Sequence, residues 1–321
     1  MDILIDVVIP VYNRAHCIAA LIPELEKQTL KQFRAIFVDD GSTDGTAEVL
    51  NKCLEGVSFS YQILRKENGG AASARNAGIR AANAPWLAFV DSDDGLLPEY
   101  LEYMYRAATE ANCPMSICKF EATVLESDAP IPTAEPLSYY TITGAECMRR
   151  YYTSWFGVYN LLLRRDVQQK HNLFFNEECY YHEDIPFITN VIAVTDQVSV
   201  IEQSLYIYYA YEGSLSRSPR LDKFYSGIAC FEEMKQRVDS MDTPAAAVFQ
   251  KMGAARYYVA TMRKAAVQVD YKTFLTLEKK VAFDQYAKQL NCLSGAQQLA
   301  GRLLLISKPL FYFLIRRVFK D

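Results

Sequence analysis

Three carboxylates, Asp91, Asp93 and Asp94, follow directly on the apolar run Trp86 to Val90. A run that is apolar on both alternating faces is what a strand buried in a parallel sheet requires, so these acids are expected at such a strand's carboxyl end. Open α/β sheets keep their ligands there. Asp91 and Asp93, spaced Asp-x-Asp, offer hard oxygen ligands to a divalent cation and leave positions for water or a phosphate. The same acids also suit a plainer task, turning the chain and capping a helix that begins near Pro98. A second acidic pair, Glu183-Asp184, lies among Tyr180, Tyr181, Ile185 and Phe187, unlike a solvated charge run. It too has a plainer reading, as a cap before Pro186.

The elements that must position these groups are read from periodicity. Buried strands are expected at Ile3 to Pro10, Phe33 to Val38, Phe59 to Leu64 and Trp86 to Val90, with helices at Ile18 to Gln28, Thr46 to Leu54 and Ala71 to Ala82 between them. Strands alternating with helices of about ten residues mean βαβ units and a parallel sheet. The polar turns after each strand then lie along one edge. Asn13, Asp39, Asp40, Asn68, Asp91 and Asp93 therefore converge on one crevice although they span eighty residues of sequence. Neither a Gly-x-Gly-x-x-Gly fingerprint nor a phosphate-binding P-loop is present, which removes the main support for dinucleotide or P-loop chemistry. Asp40 to Gly45 imitates the opening of a calcium-binding EF-hand loop, but Asn51 stands where its glutamate belongs.

In 321 residues with 50% apolar content there is material for a main α/β domain and a smaller companion. A formal charge of −4 provides no broad basic field, so nucleic acid is excluded as a partner. The eight cysteines include no Cys-x-x-Cys pair and no apolar leader precedes Asp6, which reads as reduced thiols in a cytosol. His16, His171 and His182 lack zinc-like spacing.

The segments Ile9-Pro10-Val11-Tyr12-Asn13, Gln28-Thr29, Val38 to Thr46, Glu67 to Gly70, Ala74 to Gly78 and Phe89 to Asp94 resemble family 2 glycosyltransferases of the GT-A fold. The likeness is dense over about the first 110 residues. It implies a Rossmann-like, mostly parallel sheet flanked by helices, and the helical spacing of Phe224, Ile228 and Phe231 adds a C-terminal helical extension. It also implies an inverting transferase that takes a sugar from a nucleotide diphosphate donor, usually a UDP-sugar, to a saccharide or lipid-linked saccharide in cell-surface polysaccharide assembly. Pro10, Tyr12, Asn13, Asp39, Asp40, Asn68, Arg75 and Asp91 are the implied nucleotide contacts, Asp40 on the base. Asp91 and Asp93 are the implied holders of Mn²⁺ or Mg²⁺. An ion suits the chemistry, because departing UDP develops negative charge that aspartates alone would repel. Glu183-Asp184 matches the family's catalytic pair, with Asp184 the base and Glu183 orienting it or the acceptor. Single displacement needs one base, since a sugar hydroxyl is a poor nucleophile until its proton is taken. A receiver-like Mg²⁺-binding domain and a nucleotidyltransferase are the rival readings of paired aspartates at strand ends, although the latter's Gly-rich N-terminal loop is missing.

The likeness also breaks in places. Leu161 stands after Asn160 where relatives often carry a lysine, and Tyr211 stands before Glu212-Gly213-Ser214 where they carry histidine or arginine. Residues 1–110 are expected to form the nucleotide-sugar half, 111–215 the acceptor and catalytic-base half, and 216–321 a helical region. The tyrosines from 206 to 211 are read mainly as packing. In the tail from 296 to 321, Arg302, Lys308, Arg316, Arg317 and Lys320 stand against Asp321, a net +4 in a chain of −4 that leaves −8 on the remainder. Its apolar runs are too short and broken to span a bilayer, so a peripheral contact with an anionic cytoplasmic leaflet is expected, with a helix packed on the core or a homodimer contact as alternatives.

Overall fold

In the computed structural model, which describes residues 2–123, 135–152, 157–209 and 221–319, the first apolar run becomes β1 (Ile5–Val11). Every residue of β1 but Pro10 is buried, which is why it reads as a continuous rather than an alternating hydrophobic run. Then come α1 (Ile18–Glu26), β2 (Phe33–Asp39), α2 (Thr46–Cys53), β3 (Ser60–Arg65), α3 (Gly70–Ala81) and β4 (Trp86–Phe89). These four strands pair in parallel in the order β3-β2-β1-β4. The chain thus steps outward from β1 to β3 and returns to β1's other side. The gap opened at the carboxyl ends of β1 and β4 is the topological switch point of an open α/β sheet.

The sheet then turns mixed. After β5 (Gly95–Leu96), α4 (Tyr100–Glu110), β6 (Met115–Thr123), β7 (Tyr139–Thr143) and α5 (Gly144–Tyr151), strand β8 (Leu161–Arg164) pairs antiparallel to both β4 and β6. Following α6 (Arg165–Lys170) and α7 (Asp184–Ala193), the long β9 (Gln197–Tyr209) runs parallel to β6 and antiparallel to β5 and β7. Strands on both sides of residue 111 therefore share one nine-stranded sheet. The rest is helical: α8 (Leu221–Asp239), α9 (Pro244–Gln268), α10 (Tyr271–Val281), α11 (Gly295–Ile306) and α12 (Lys308–Phe319).

Two features explain why the motif residues fall where they do. Helix α3 lies so close to β1 that a Cβ on Gly78 would stand 2.3 Å from Val8 Cγ1, so any larger residue there forces strand and helix apart. At the amino end of β1, buried Asp6 accepts from Arg34 Nε at 2.8 Å and from the backbone of Asn83 and Ala84 at 2.7 and 2.8 Å. That carboxylate fixes where β4 begins, and hence where Asp91 ends up.

The described residues of Met1–Gly144, Trp155–Glu177 and Thr195–Tyr211 form one compact unit, which holds the whole sheet. Those of Ala145–Ser154, Glu178–Val194 and Glu212–Asp321 form a second. In the second unit the structure corrects the reading of eight thiols, because Cys179 and Cys230 are joined as a disulfide. The two lie 51 residues apart with no local motif, and it is the packing of α8 that sets their Cα atoms 5.9 Å from each other. No sequence spacing announces such a pair.

Candidate active site

The turn after β1 is built on Asn13 in the left-handed region, φ 51°, a conformation that asparagine tolerates better than most residues. Its side-chain oxygen accepts from Thr43 N at 2.9 Å and its own N–H donates to Ser42 Oγ at 3.0 Å, which locks this turn to the one after β2. Asp39 closes the second turn by accepting from Ser42 N at 2.8 Å, with Arg65 Nε 3.5 Å from its other oxygen. Asp40 turns to α3, accepting from the N–H groups of Gly69 and Gly70 at 3.1 and 2.7 Å and pairing with Lys66 Nζ at 2.6 Å. An anion at a helix start meets unsatisfied N–H groups and the positive end of the dipole. A Cβ on Gly41, φ 79°, would stand 3.0 Å from Asn68 N, so this glycine lets the second and third turns meet. Asn68 itself is exposed.

Beyond β4 each acid has a different partner. Asp91 Oδ1 pairs with Arg75 Nη2 at 2.7 Å, and that buried guanidinium lies over the Phe175 ring. Asp93 Oδ2 pairs with Arg14 Nη2 at 3.1 Å. Asp94 points away from these two: its oxygens accept from Tyr206 Oη at 2.8 Å and from Tyr209 N at 3.1 Å. Tyr206 Oη in turn accepts from Asp91 N at 3.1 Å, so this buried hydroxyl, together with Tyr209 N, ties the acidic turn to β9. Burial, then the charges of Asp91 and Asp93, push the Asp94 carboxyl up to about 8.

The structure thus brings Asn13, Asp39, Asp40, Arg75, Asp91 and Asp93, with Pro10 and Tyr12 on the segment that leads into the first turn, to the carboxyl ends of the four parallel strands. Sequence reasoning missed Arg14 and Tyr206. Arg14 is adjacent to the matched segment and was legible as a cation beside acids. Tyr206 is 112 residues from Asp94, and nothing in its neighbourhood signals the contact. Among the tyrosines of 206 to 211, fully buried Tyr206 stacks on Tyr159 at 4.6 Å, as packing requires. Tyr211 and Glu212 lie outside the described residues. Leu161, the departure from the lysine that the resemblance implies, is a buried residue of β8, and Asn160 donates to Cys118 O at 2.9 Å.

Glu183 and Asp184 belong to the second unit, at the start of α7. Asp184 Oδ1 accepts from Ile185 N at 2.9 Å, while Glu183 makes no side-chain cap. The preceding His182 has φ 57° and stacks on Tyr181 at 3.9 Å. Burial, then the positive charges of Lys264 and Lys223, lower its imidazole to about 3, so the ring is neutral. Lys264 Nζ lies 3.4 Å from His182 Nε2. Burial lowers the Lys264 ammonium below the ordinary lysine range, and the charge of Asp184 opposes that shift.

The family model described as "Glycosyl transferase family 2" matches residues 6–167. A glycosyltransferase of Escherichia coli, YibD, is 32% identical over 226 residues, 67% of this chain and 64% of that protein. A cholesterol galactosyltransferase of Borreliella burgdorferi is 25% identical over 250 residues, 74% of this chain and 66% of that protein. The matched part is thus under two thirds of YibD's length. Among solved structures, S. aureus TarS 1-349 in complex with UDP has a TM-score of 0.68 at 18% identity, over 99% of this chain and 90% of that one. The mannosyltransferase PcManGT of Pyrobaculum calidifontis, in complex with GDP-Man and Mn²⁺, has a TM-score of 0.57 at 13% identity, over 100% and 87%. The parallel strands that end in paired acids are therefore those of a GT-A fold, and the chain is a member of glycosyltransferase family 2.

Proposed function

We propose that the protein transfers a sugar, with inversion, from a UDP-sugar to a saccharide or lipid-linked saccharide, in cell-surface polysaccharide assembly at the cytoplasmic face of a membrane. The observation that carries the reading is the switch-point crevice, where Asp91 and Asp93 each hold a guanidinium while Asp94 is committed elsewhere. Both carboxylates are hard oxygen donors and both are partly exposed. Among the described residues no group of three or more His, Cys, Asp or Glu gathers into a metal cluster. The protein thus offers two carboxylates, which suits an Mg²⁺- or Mn²⁺-type ion whose other ligands are water and donor phosphate. When bound, such an ion neutralises the charge that develops on the departing diphosphate.

The chain's own residues do the rest. Arg75 and Arg14 keep the aspartates in place before donor arrives and offer positive charge to the diphosphate afterwards. Asn13, Asp39, Asp40 and Asn68, with Pro10 and Tyr12, form the nucleotide side. Asp184 takes the proton from the acceptor hydroxyl as it attacks the anomeric carbon, and Glu183 orients the acceptor. The likeness of this fold to proteins solved with UDP-GlcNAc and with GDP-Man supports a nucleotide sugar as the donor class. The test is a panel of nucleotide sugars, with Mn²⁺ or Mg²⁺ and saccharide acceptors. UDP release and a product of opposite anomeric configuration by NMR are expected. Turnover of small phosphodonors with no nucleotide sugar consumed would overturn the reading.

A further inference from the structure

Helix α12 is apolar on two opposite faces. On one, Phe311, Tyr312 and Ile315 are buried within the second unit: the Phe311 ring centroid is 5.9 Å from that of Phe274, and Tyr312 Oη donates to Val269 O at 2.9 Å. Arg316 Nη1 donates to the same carbonyl at 3.1 Å. On the other face Leu310, Phe313, Leu314 and Val318 are exposed, Phe313 and Val318 by 61% each. These four recur at i, i+3, i+4 and i+8, which is one stripe of a helix, and Arg317 completes it at i+7. Ile306, at the corner between α11 and α12, is 82% exposed. Of ten large apolar side chains exposed among the described residues, seven lie between 299 and 319, so this is a patch rather than the usual scatter.

We propose that this outer face of α12, with Ile306, lies in the interface of an anionic lipid bilayer. Charge decides among the occupants. Lys308 is paired with Glu278 at 2.6 Å and Arg316 is held on Val269 O, but Arg302 and Arg317 are exposed, and the sequence of the tail is net positive in a chain that is otherwise negative. Phosphate headgroups complement that pattern. A second copy of this chain brings the same net positive tail to the contact and so offers no such complement. Spanning is ruled out by length: twelve residues of helix reach about 18 Å against a hydrocarbon core of ~30 Å. Nor is any helix among the described residues long and apolar enough to cross a membrane. A helix lying in the plane, apolar stripe down and arginines at headgroup level, satisfies both the apolar area and the charge. Because it rests on the proposed transferase reading, the inference also narrows the acceptor to a lipid-linked saccharide presented at that surface.

Removal of the tail is a poor test, since it would strip Phe311 and Tyr312 from the core. The test uses the full chain and the pair Leu314→Ser with Val318→Ser, both exposed positions of the stripe; Phe313 is left in place because its ring stacks on Tyr271 at 5.8 Å. Sedimentation is measured with phosphatidylcholine vesicles with and without phosphatidylglycerol, alongside elution volume, thermal midpoint and hydrolysis of a soluble UDP-sugar. The full chain is expected to pellet with phosphatidylglycerol vesicles and to be released by salt. The paired variant should lose ~tenfold or more in partitioning with its midpoint, elution and hydrolysis unchanged. Binding that is absent in the full chain, or retained in the variant, overturns the docking surface. So does a dimer that the variant converts to monomer, which gives the stripe to a second copy. In each of those cases continued UDP-sugar hydrolysis leaves the transferase reading standing, whereas lipid binding with no nucleotide-sugar turnover removes that reading alone.

Discussion

Around their candidate catalytic groups, the sheet unit and the helical unit hold charged side chains in different ways. In the sheet unit, acids are matched to bases: Asp39 with Arg65, Asp40 with Lys66, Asp91 with Arg75 and Asp93 with Arg14. In the helical unit, bases lie among aromatic rings: Lys223 Nζ sits 4.9 Å from the Tyr181 ring centroid and Lys264 Nζ 5.0 Å, while neutral His182 stacks on the same ring. Ion pairs at strand ends can be undone and remade around an incoming anion. Cations held by rings and buried beside one residue instead fix a backbone in place, here the segment that leads into Glu183 and Asp184. The sheet unit is built to exchange partners and the helical unit to hold a geometry.

The largest expected effect tests the exchangeable side. Asp93→Ala or Asp91→Ala should lower UDP-sugar turnover by ~10³-fold or more if, as proposed, the carboxylates organise the charge on the leaving diphosphate. Asp93→Ala leaves Arg14 partly solvated, so its fold should survive by circular dichroism, whereas Asp91→Ala strands the buried Arg75 guanidinium and is read beside Asp91→Asn. Near-normal turnover in Asp93→Ala would break the assignment of this turn to the donor. On the fixed-geometry side, Asp184→Asn should lower kcat by about 10²- to 10⁴-fold while UDP affinity stays within a few-fold, since a base acts mainly in the transition state. Equal losses in affinity and rate would make Asp184 a binding residue instead.

A smaller effect is expected at Tyr206→Phe. Its hydroxyl is the one group that joins Asp91 N to Asp94, so its loss should let the acidic turn shift. The expected outcome is a rise of ~tenfold in the KM for donor with kcat little changed. A change in kcat alone would show that the hydroxyl acts in chemistry rather than in positioning.

How much of this was legible follows from where each residue sits. Asn13, Asp39, Asp40, Asp91 and Asp93 are local signals: each ends an apolar run, and parallel topology brings the ends of such runs together. Gly78 was visible as a motif glycine, though only the 2.3 Å approach to Val8 gives its reason. Asp94 looked like a third member of the acidic set, but its partner is a tyrosine on a strand far along the chain, so its separate role is a product of tertiary packing. The Cys179–Cys230 pairing is of the same kind. In the tail, periodicity marked apolar faces without telling which one the protein would cover. The structure buries Phe311, Tyr312 and Ile315 and leaves the neighbouring stripe outside.

The smallest effects expected are on stability, and their signs differ between the two units. Asp94 has a carboxyl raised to about 8 by burial and by Asp91 and Asp93. Its contribution to stability is therefore full below the ordinary carboxyl range and is lost as pH rises through about 8, where the folded state must accept a third charge beside two others. His182, lowered to about 3 by burial and by Lys264 and Lys223, behaves in reverse. Its contribution is present above the ordinary histidine value of about 6.5 and is lost as pH falls toward about 3, because the unfolded chain takes up a proton that the folded ring refuses. A rise in pH toward about 8 should therefore loosen the sheet unit first, and a fall toward about 3 the helical unit first. Hydrogen exchange resolved by peptide, measured at pH values on either side of neutrality, separates the two. Asp94→Asn should flatten the alkaline loss in peptides of β4 and β9 only, and His182→Asn the acid loss in peptides of α7 and α9 only. If either substitution flattened both limbs, the two units would share one titrating network, and the contrast between exchangeable pairs and fixed geometry would fail.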